Sequence, residues 1–139
     1  MPSVANHSDL ADVATEWISL WCVPVDWSRF DAMHAGSFED CTSAGRASTK
    51  GGFAEGLAAL VRAFPDLQTR VTDLVVDKAA SKVAVRWAAE GTNREPYLGV
   101  GPTGRLTTVT GIEIIEIYNG QIVRRWGEWD ISDHLESDG

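Results

Sequence analysis

The stretch Gly111-IEIIEIYNGQIVRRWGEW-Asp130 decides how this chain is read. Its first half, GIEIIEIY (111–118), is rich in isoleucine, the composition of a strand. Asn119-Gly120 then breaks the run with a pair that favours tight hairpin turns. A second strand-like run follows, with two arginines, two tryptophans and two carboxylates crowded around Gly127. The stretch therefore predicts an antiparallel hairpin. Its register depends on the turn. A two-residue turn sets Glu113 opposite Trp126. A three-residue turn, with Gly120 in the left-handed conformation, sets Glu113 opposite Arg125 and Gly111 opposite Gly127. The second register is favoured because it pairs two opposite charges on one face. Two facing glycines then predict a gap in the sheet, although a bulge at Gly127 is the structural alternative. It also sends Ile112, Ile114 and Trp126 to the other face together, and an exposed apolar patch of that kind marks a protein interface.

Working backwards, "RVTDLVV" (70–76), "KVAVRWAAEG" (82–91) and "RLTTVTG" (105–111) read as further strands rich in Val, Thr and Trp. The first half of the chain reads helical. Leu10, Val13, Ala14, Trp17 and Trp21 fall on one face, with Ser8 as a cap and Pro24 as a stop. "DWSRFDAMH" (26–34) repeats the spacing over a shorter helix, and a short strand is expected near Ser37–Cys41. Phe53, Leu57, Leu60, Val61 and Phe64 mark a third amphipathic helix, capped by Ser48 or Thr49, with Pro65 just past its end. Helices first and strands after give an α+β class, with three N-terminal helices against a bent antiparallel sheet. No repeat or linker interrupts the 139 residues, so one domain spanning 1–139 is expected.

Charge and composition narrow the function. Twelve basic against twenty acidic residues give a net charge of −8, which argues against nucleic acid and anionic membranes. No apolar run reaches the length of a membrane span, and no leader pattern is evident, so a cytoplasmic protein is expected. Two cysteines without metal-ligand spacing, and three scattered histidines, give no reason to expect a metal. Six tryptophans are many for a chain of this length and suit either a dense core or the wall of an apolar pocket.

"AFPDL" (63–67), "GVGPTGR" (99–105) and "IYNGQIVRRWGEWD" (117–130), in this order and at these intervals, resemble the SnoaL-like polyketide cyclases of the nuclear transport factor 2-like superfamily. The resemblance covers nearly the whole chain. It implies a cone: a strongly bent sheet wrapped around the helices, with a deep apolar pocket for a small hydrophobic, oxygenated molecule. It implies cofactor-free acid/base chemistry of isomerase, cyclase or hydratase type, and a homodimer through the convex sheet face. It also sets the cyclases' acidic residue at Gly127, so that acid is missing here. A non-catalytic small-molecule-binding protein is the alternative, and a pure interaction module the third. Room inside the cone separates the first two from the last.

Glu113 falls where the resemblance sets a pocket histidine, and it lies among apolar neighbours. A carboxylate so placed is either paired or carries a raised pKa suited to proton transfer. Asp40 falls at a pocket asparagine. Asp40, Glu113, Arg125 and Glu128 are the candidate catalytic groups. Trp27, Arg86, Trp87, Tyr97 and Trp129 are the candidates for ligand contact. Trp17 and Trp21 are expected to pack the first helix onto the sheet. His34 is expected to be structural.

Overall fold

A computed structural model of the chain describes residues 10–43, 45–97, 99 and 101–130. Helix α1 (Leu10–Ser19) presents Leu10, Ala14, Trp17 and Ile18 to the core. The expected Ser8 cap lies outside the described residues. Helix α2 (Trp27–Met33) is capped by Asp26, whose carboxylate accepts from the Arg29 N–H. Helix α3 (Lys50–Ala63) begins at Thr49, whose hydroxyl accepts from Gly52 N. That satisfies one of the donors a helix start leaves unpaired. Phe53, Leu57, Leu60 and Phe64 are buried, as their spacing predicts. Each side chain contributes about 2 kcal/mol of burial.

The strands are β1 (His34–Asp40), β2 (Gln68–Asp77), β3 (Lys82–Thr92), β4 (Leu106–Tyr118) and β5 (Gln121–Asp130). They form one sheet in the order β1-β5-β4-β3-β2. Three of the four pairings are antiparallel, but β1 runs parallel to β5, so the sheet is mixed rather than wholly antiparallel. The reason is where the chain enters. The Gln121 amide donates to the Ala32 carbonyl at 2.9 Å, so both strands start from the end where α2 stops.

The hairpin register differs from both alternatives drawn from sequence. Asn119 and Gly120 have φ of 52° and 76°, a two-residue turn that pairs Tyr118 with Gln121. The ladder then slips one residue between Ile122 and Arg124, leaving Val123 as a bulge. Beyond it Glu113 faces Gly127, and Gly111 faces Trp129. The offset from the expected 113–125 pairing is two residues. An even slip keeps every side chain on its face, so Glu113, Arg125 and Gly127 still share one side. A second irregularity, between Val71 and Asp73, interrupts the β2–β3 pairing. Such bulges bend strands, and the sheet curves over the helices.

Under its concave face lies an aromatic cluster centred on Phe53. Trp17, Phe30 and Phe38 have ring centroids 6.2, 5.8 and 5.3 Å from it. Trp17 and Trp21 are buried here, holding α1 against the sheet as expected.

Candidate functional site

Four charged side chains come together where β1, β4 and β5 meet the concave face. Glu113 projects inward from β4 and is 3% exposed. Its Oε1 accepts from Nε and Nη2 of Arg125, at 2.9 and 2.6 Å. Its Oε2 accepts from the indole N–H groups of Trp129 and Trp87, at 2.8 and 3.2 Å. Arg125 donates its third nitrogen, Nη1, to Asp40 Oδ1 at 2.9 Å. Asp40 Oδ1 also accepts from Thr42 N, and Oδ2 from Arg46 Nη2 at 2.8 Å. The Arg125 guanidinium lies 5.1 Å from the Phe53 ring centroid, a cation–π contact that joins the charges to the aromatic core.

Burial pushes the Glu113 carboxyl above the usual carboxylate range; Arg125 and the two indoles pull the other way. Every group facing its oxygens is a donor, which favours the ionised form because a carboxyl O–H would meet no acceptor. Burial also works against the charge of Arg125, but Glu113 and Asp40 outweigh it and raise its pKa. Trp87 and Trp129 stand edge to face at 5.4 Å, and Tyr97 stacks on Trp129 at 6.3 Å. Burial raises the Tyr97 hydroxyl to about 12, against the opposing pull of Arg46 and Arg125.

Gly127 has a different reason from the one expected. Its φ is not in the left-handed region, so the backbone does not demand glycine. A Cβ there would run into Arg125 Nη2 and Glu113 Oε1. Likewise, a Cβ at Gly111 would meet the Trp87 ring. The expected gap in the wall is thus filled, by the ion pair at one glycine and by an indole at the other. Between Glu113, Trp87, Thr69 and α1 remains a cavity of about 10 Å³, room for one water-sized molecule.

Of the residues singled out from sequence, Asp40, Glu113, Arg125, Trp87, Trp129 and Tyr97 gather here. Three do not. Glu128 lies opposite Ile112 on the outer face, because it alternates with Gly127 and Trp129. Arg86 is exposed on that same outer face, between Val85 and Trp87, which point inward. With Ile112 and Asp130 these two line a groove of about 490 Å³. Trp27 is 43% exposed on α2 and packs on Phe30. Arg46 and Thr42, whose hydroxyl accepts from Gly127 N at 2.9 Å, were not anticipated. They lie in the β1–α3 loop, where no periodicity marks a face.

His34 is fully buried. Nδ1–H donates to the Phe30 carbonyl at 2.6 Å and Nε2 accepts from the Trp17 indole at 2.9 Å, fixing a neutral tautomer. Burial lowers its pKa from 6.5 to about 4. The unfolded chain therefore takes the proton first as pH falls. His34's contribution is whole above about 6.5, and is lost as pH falls to about 4. At about 1.4 kcal/mol per pH unit, the loss is about 3 kcal/mol. Urea unfolding at pH 7 and pH 4.5 should show wild type losing about 2–3 kcal/mol more than His34→Gln. Equal losses would contradict the buried neutral imidazole.

Among the described residues no three His, Cys, Asp or Glu side chains are grouped to hold a metal ion, and no helix is long and apolar enough to cross a membrane.

Comparison with known proteins places this geometry. No curated protein matches the sequence. Among solved structures, AclR from Streptomyces galilaeus superposes with a TM-score of 0.79 at 19% identity, covering 94% of this chain and 85% of that one. TsrD from Streptomyces laurentii gives 0.76 at 21%, covering 97% and 96%. A SnoaL-like polyketide cyclase from Agrobacterium tumefaciens str. C58 gives 0.74 at 20%, covering 94% and 98%. At such identities these likenesses show the fold, the cone of the nuclear transport factor 2-like proteins. The family model for SnoaL-like polyketide cyclases matches residues 11–136, and the chain belongs to that family.

Proposed function

We propose that the protein is a cofactor-free acid/base enzyme acting on a small hydrophobic, oxygenated molecule, by isomerisation, cyclisation or hydration. One observation carries this reading. The Glu113 carboxylate lies where a side chain at residue 127 would begin, and 127 is the position at which the resemblance sets the cyclases' acid. The acid is supplied from the facing strand instead of being absent. Burial, which raises the proton affinity of Glu113, suits it to abstract and return a proton near neutral pH. Arg125 would keep the carboxylate oriented. The deep apolar pocket implied by the resemblance is not open beside Glu113, where the described residues leave room for about one water. Both small-molecule readings therefore require the wall to move, and a cone that stays closed to ligands would leave the interaction module. The partly buried Trp129 and the Tyr97 stacked on it form the wall that would turn aside.

The test uses 2-tetralone, an apolar ketone with acidic α-protons, in D2O. Wild type should exchange those protons above the buffer rate, and Glu113→Gln should lose about 10²–10⁴-fold of that rate while keeping the fold and ligand binding. Equal rates for the two proteins would remove Glu113 from the chemistry.

A second reading, a small-molecule-binding protein without catalysis, is favoured by a separate observation. All four donors around Glu113 are already engaged with it, as in a structural ion pair. Wild type that binds 2-tetralone without exchanging its protons would support this reading.

The assembly proposed is a homodimer through the convex face. Val75, Ala84, Ile114 and Trp126 form one row across four strands. Ile112 beside it is 49% exposed and Ile114 is 41% exposed. Sedimentation at micromolar concentration should give a dimer, and Ile114→Glu a monomer. A monomeric wild type, or a dimer indifferent to Ile114→Glu, would contradict this. The two unpaired cysteines, Cys22 and Cys41, fit a reducing compartment and leave the cytoplasm as the proposed location.

A further inference from the structure

The four charges of the site are not equivalent. The side chains of Asp40, Glu113 and Arg125 are 0%, 3% and 4% exposed, whereas that of Arg46 is 31% exposed. All three nitrogens of Arg125 are engaged with Glu113 and Asp40. Arg46 uses Nη2 on Asp40, and its buried Nε has no partner. Arg46 is thus the guanidinium of the cluster that reaches solvent and still has donors to offer. Its tilt is set by the missing side chain of Gly56 on α3, since a Cβ there would come within 2.8 Å of Nε. The charge of Arg46 also reaches the Tyr97 hydroxyl, which makes no hydrogen bond among the described residues. Tyr97 stacks on the ring that closes Glu113 from outside. Through Asp40 and Arg125, Arg46 is joined to Glu113, so it is the outermost cation of the cluster that a ligand at Glu113 would meet.

We infer that Arg46 is a specificity-determining residue that receives an anionic oxygen of the ligand, a carboxylate or an ionised enol, while Glu113 faces the carbon skeleton. This rests on the acid/base reading above and names the substrate class it would take. A planar guanidinium with free N–H groups suits such an oxygen, because it can offer two parallel hydrogen bonds. The chain as a whole carries −8, which repels anions at long range. A preference for an anion must then come from a local cation. Asp40 shares its two oxygens between Arg125 and Arg46, so it holds Arg46 in place by Nη2 while Nε stays without a partner.

The experiment compares 2-naphthoate with 2-acetylnaphthalene, an anion and a neutral ketone of similar shape, by quenching of tryptophan fluorescence. Wild type should bind the anion about tenfold more tightly than the ketone, the range of a charge-assisted hydrogen bond. Arg46→Gln should abolish that difference, and Arg46→Lys should keep part of it. Gly56→Ala, which keeps the charge but crowds Nε, should reduce the preference as well. It also stands in if Arg46→Gln does not fold. Equal affinity of wild type for the two probes, or a preference that survives Arg46→Gln, overturns the inference while leaving the pocket itself in place. Failure of both probes to bind overturns the pocket reading and this inference with it.

Discussion

Arg125→Met should lower the unfolding free energy at neutral pH by about 3–5 kcal/mol, the range for breaking a buried ion pair from one side. Methionine fills much of the same space, so the loss is electrostatic rather than a cavity. Glu113 keeps two indole donors and Asp40 keeps Arg46 and a backbone N–H. Both lose the guanidinium that now joins them. The Glu113 carboxyl, already pushed up by burial and now without the opposing pull of Arg125, should then rise further above its unfolded value. An acid shifted that way stabilises the folded protein when protonated. That part of the deficit is complete above the folded pKa of Glu113 and closes as pH falls through it towards about 4. Urea midpoints at pH 8, 7, 6 and 5 should show the variant approaching wild type as pH drops. A gap that stays constant over this range, or that is below 1 kcal/mol at pH 7, would mean that Arg125 is not the cation balancing these carboxylates.

The face on which Glu113 lies followed from pairing it with Arg125 on one side of the hairpin, although the turn is the two-residue form rather than the favoured three-residue one. Its opposite number did not follow. The bulge at Val123 carries no glycine or proline signal, and it is set by packing across the whole sheet. The inference survived because an offset of two residues preserves face. The same parity, applied along β5, sends Glu128 outward once Arg125 points in, so that correction was legible in the sequence. Arg86 was harder. Its side follows from the β3–β4 register, and the 93–105 connection is too long to fix it. The parallel pairing of β1 is a contact between residues 34–40 and 122–125. No local pattern announces contacts at such a separation. Arg46 was missed for a related reason. A loop residue has no period, and its role depends on Asp40 beside it and Gly56 on another element.

The position that raised the question of the missing acid also gives the sharpest test of the packing. Gly127→Asp should destabilise the protein by at least about 3 kcal/mol. Its Cβ would enter space held by Arg125 Nη2 and Glu113 Oε1, and its carboxylate would be a third anion beside one fully engaged guanidinium. Strand geometry does not forbid the residue, since φ at 127 is not left-handed, so the penalty measures occupancy of the site. Removing the competitor should reverse it. Glu113→Ala with Gly127→Asp leaves two carboxylates, Asp40 and the new one, around Arg125, as in wild type. The pair should be more stable than Gly127→Asp alone by about 2 kcal/mol, because residues that share one space are strongly non-additive. If proton exchange on 2-tetralone depends on an acid at this point in the cone rather than on the strand that supplies it, the double variant should regain part of the activity that Glu113→Ala loses. A Gly127→Asp protein as stable as wild type would show that the ion pair does not fill this space in solution. A double variant no better than the single one would show that residues 113 and 127 do not compete for one site, and the idea of an acid supplied from the facing strand would fail.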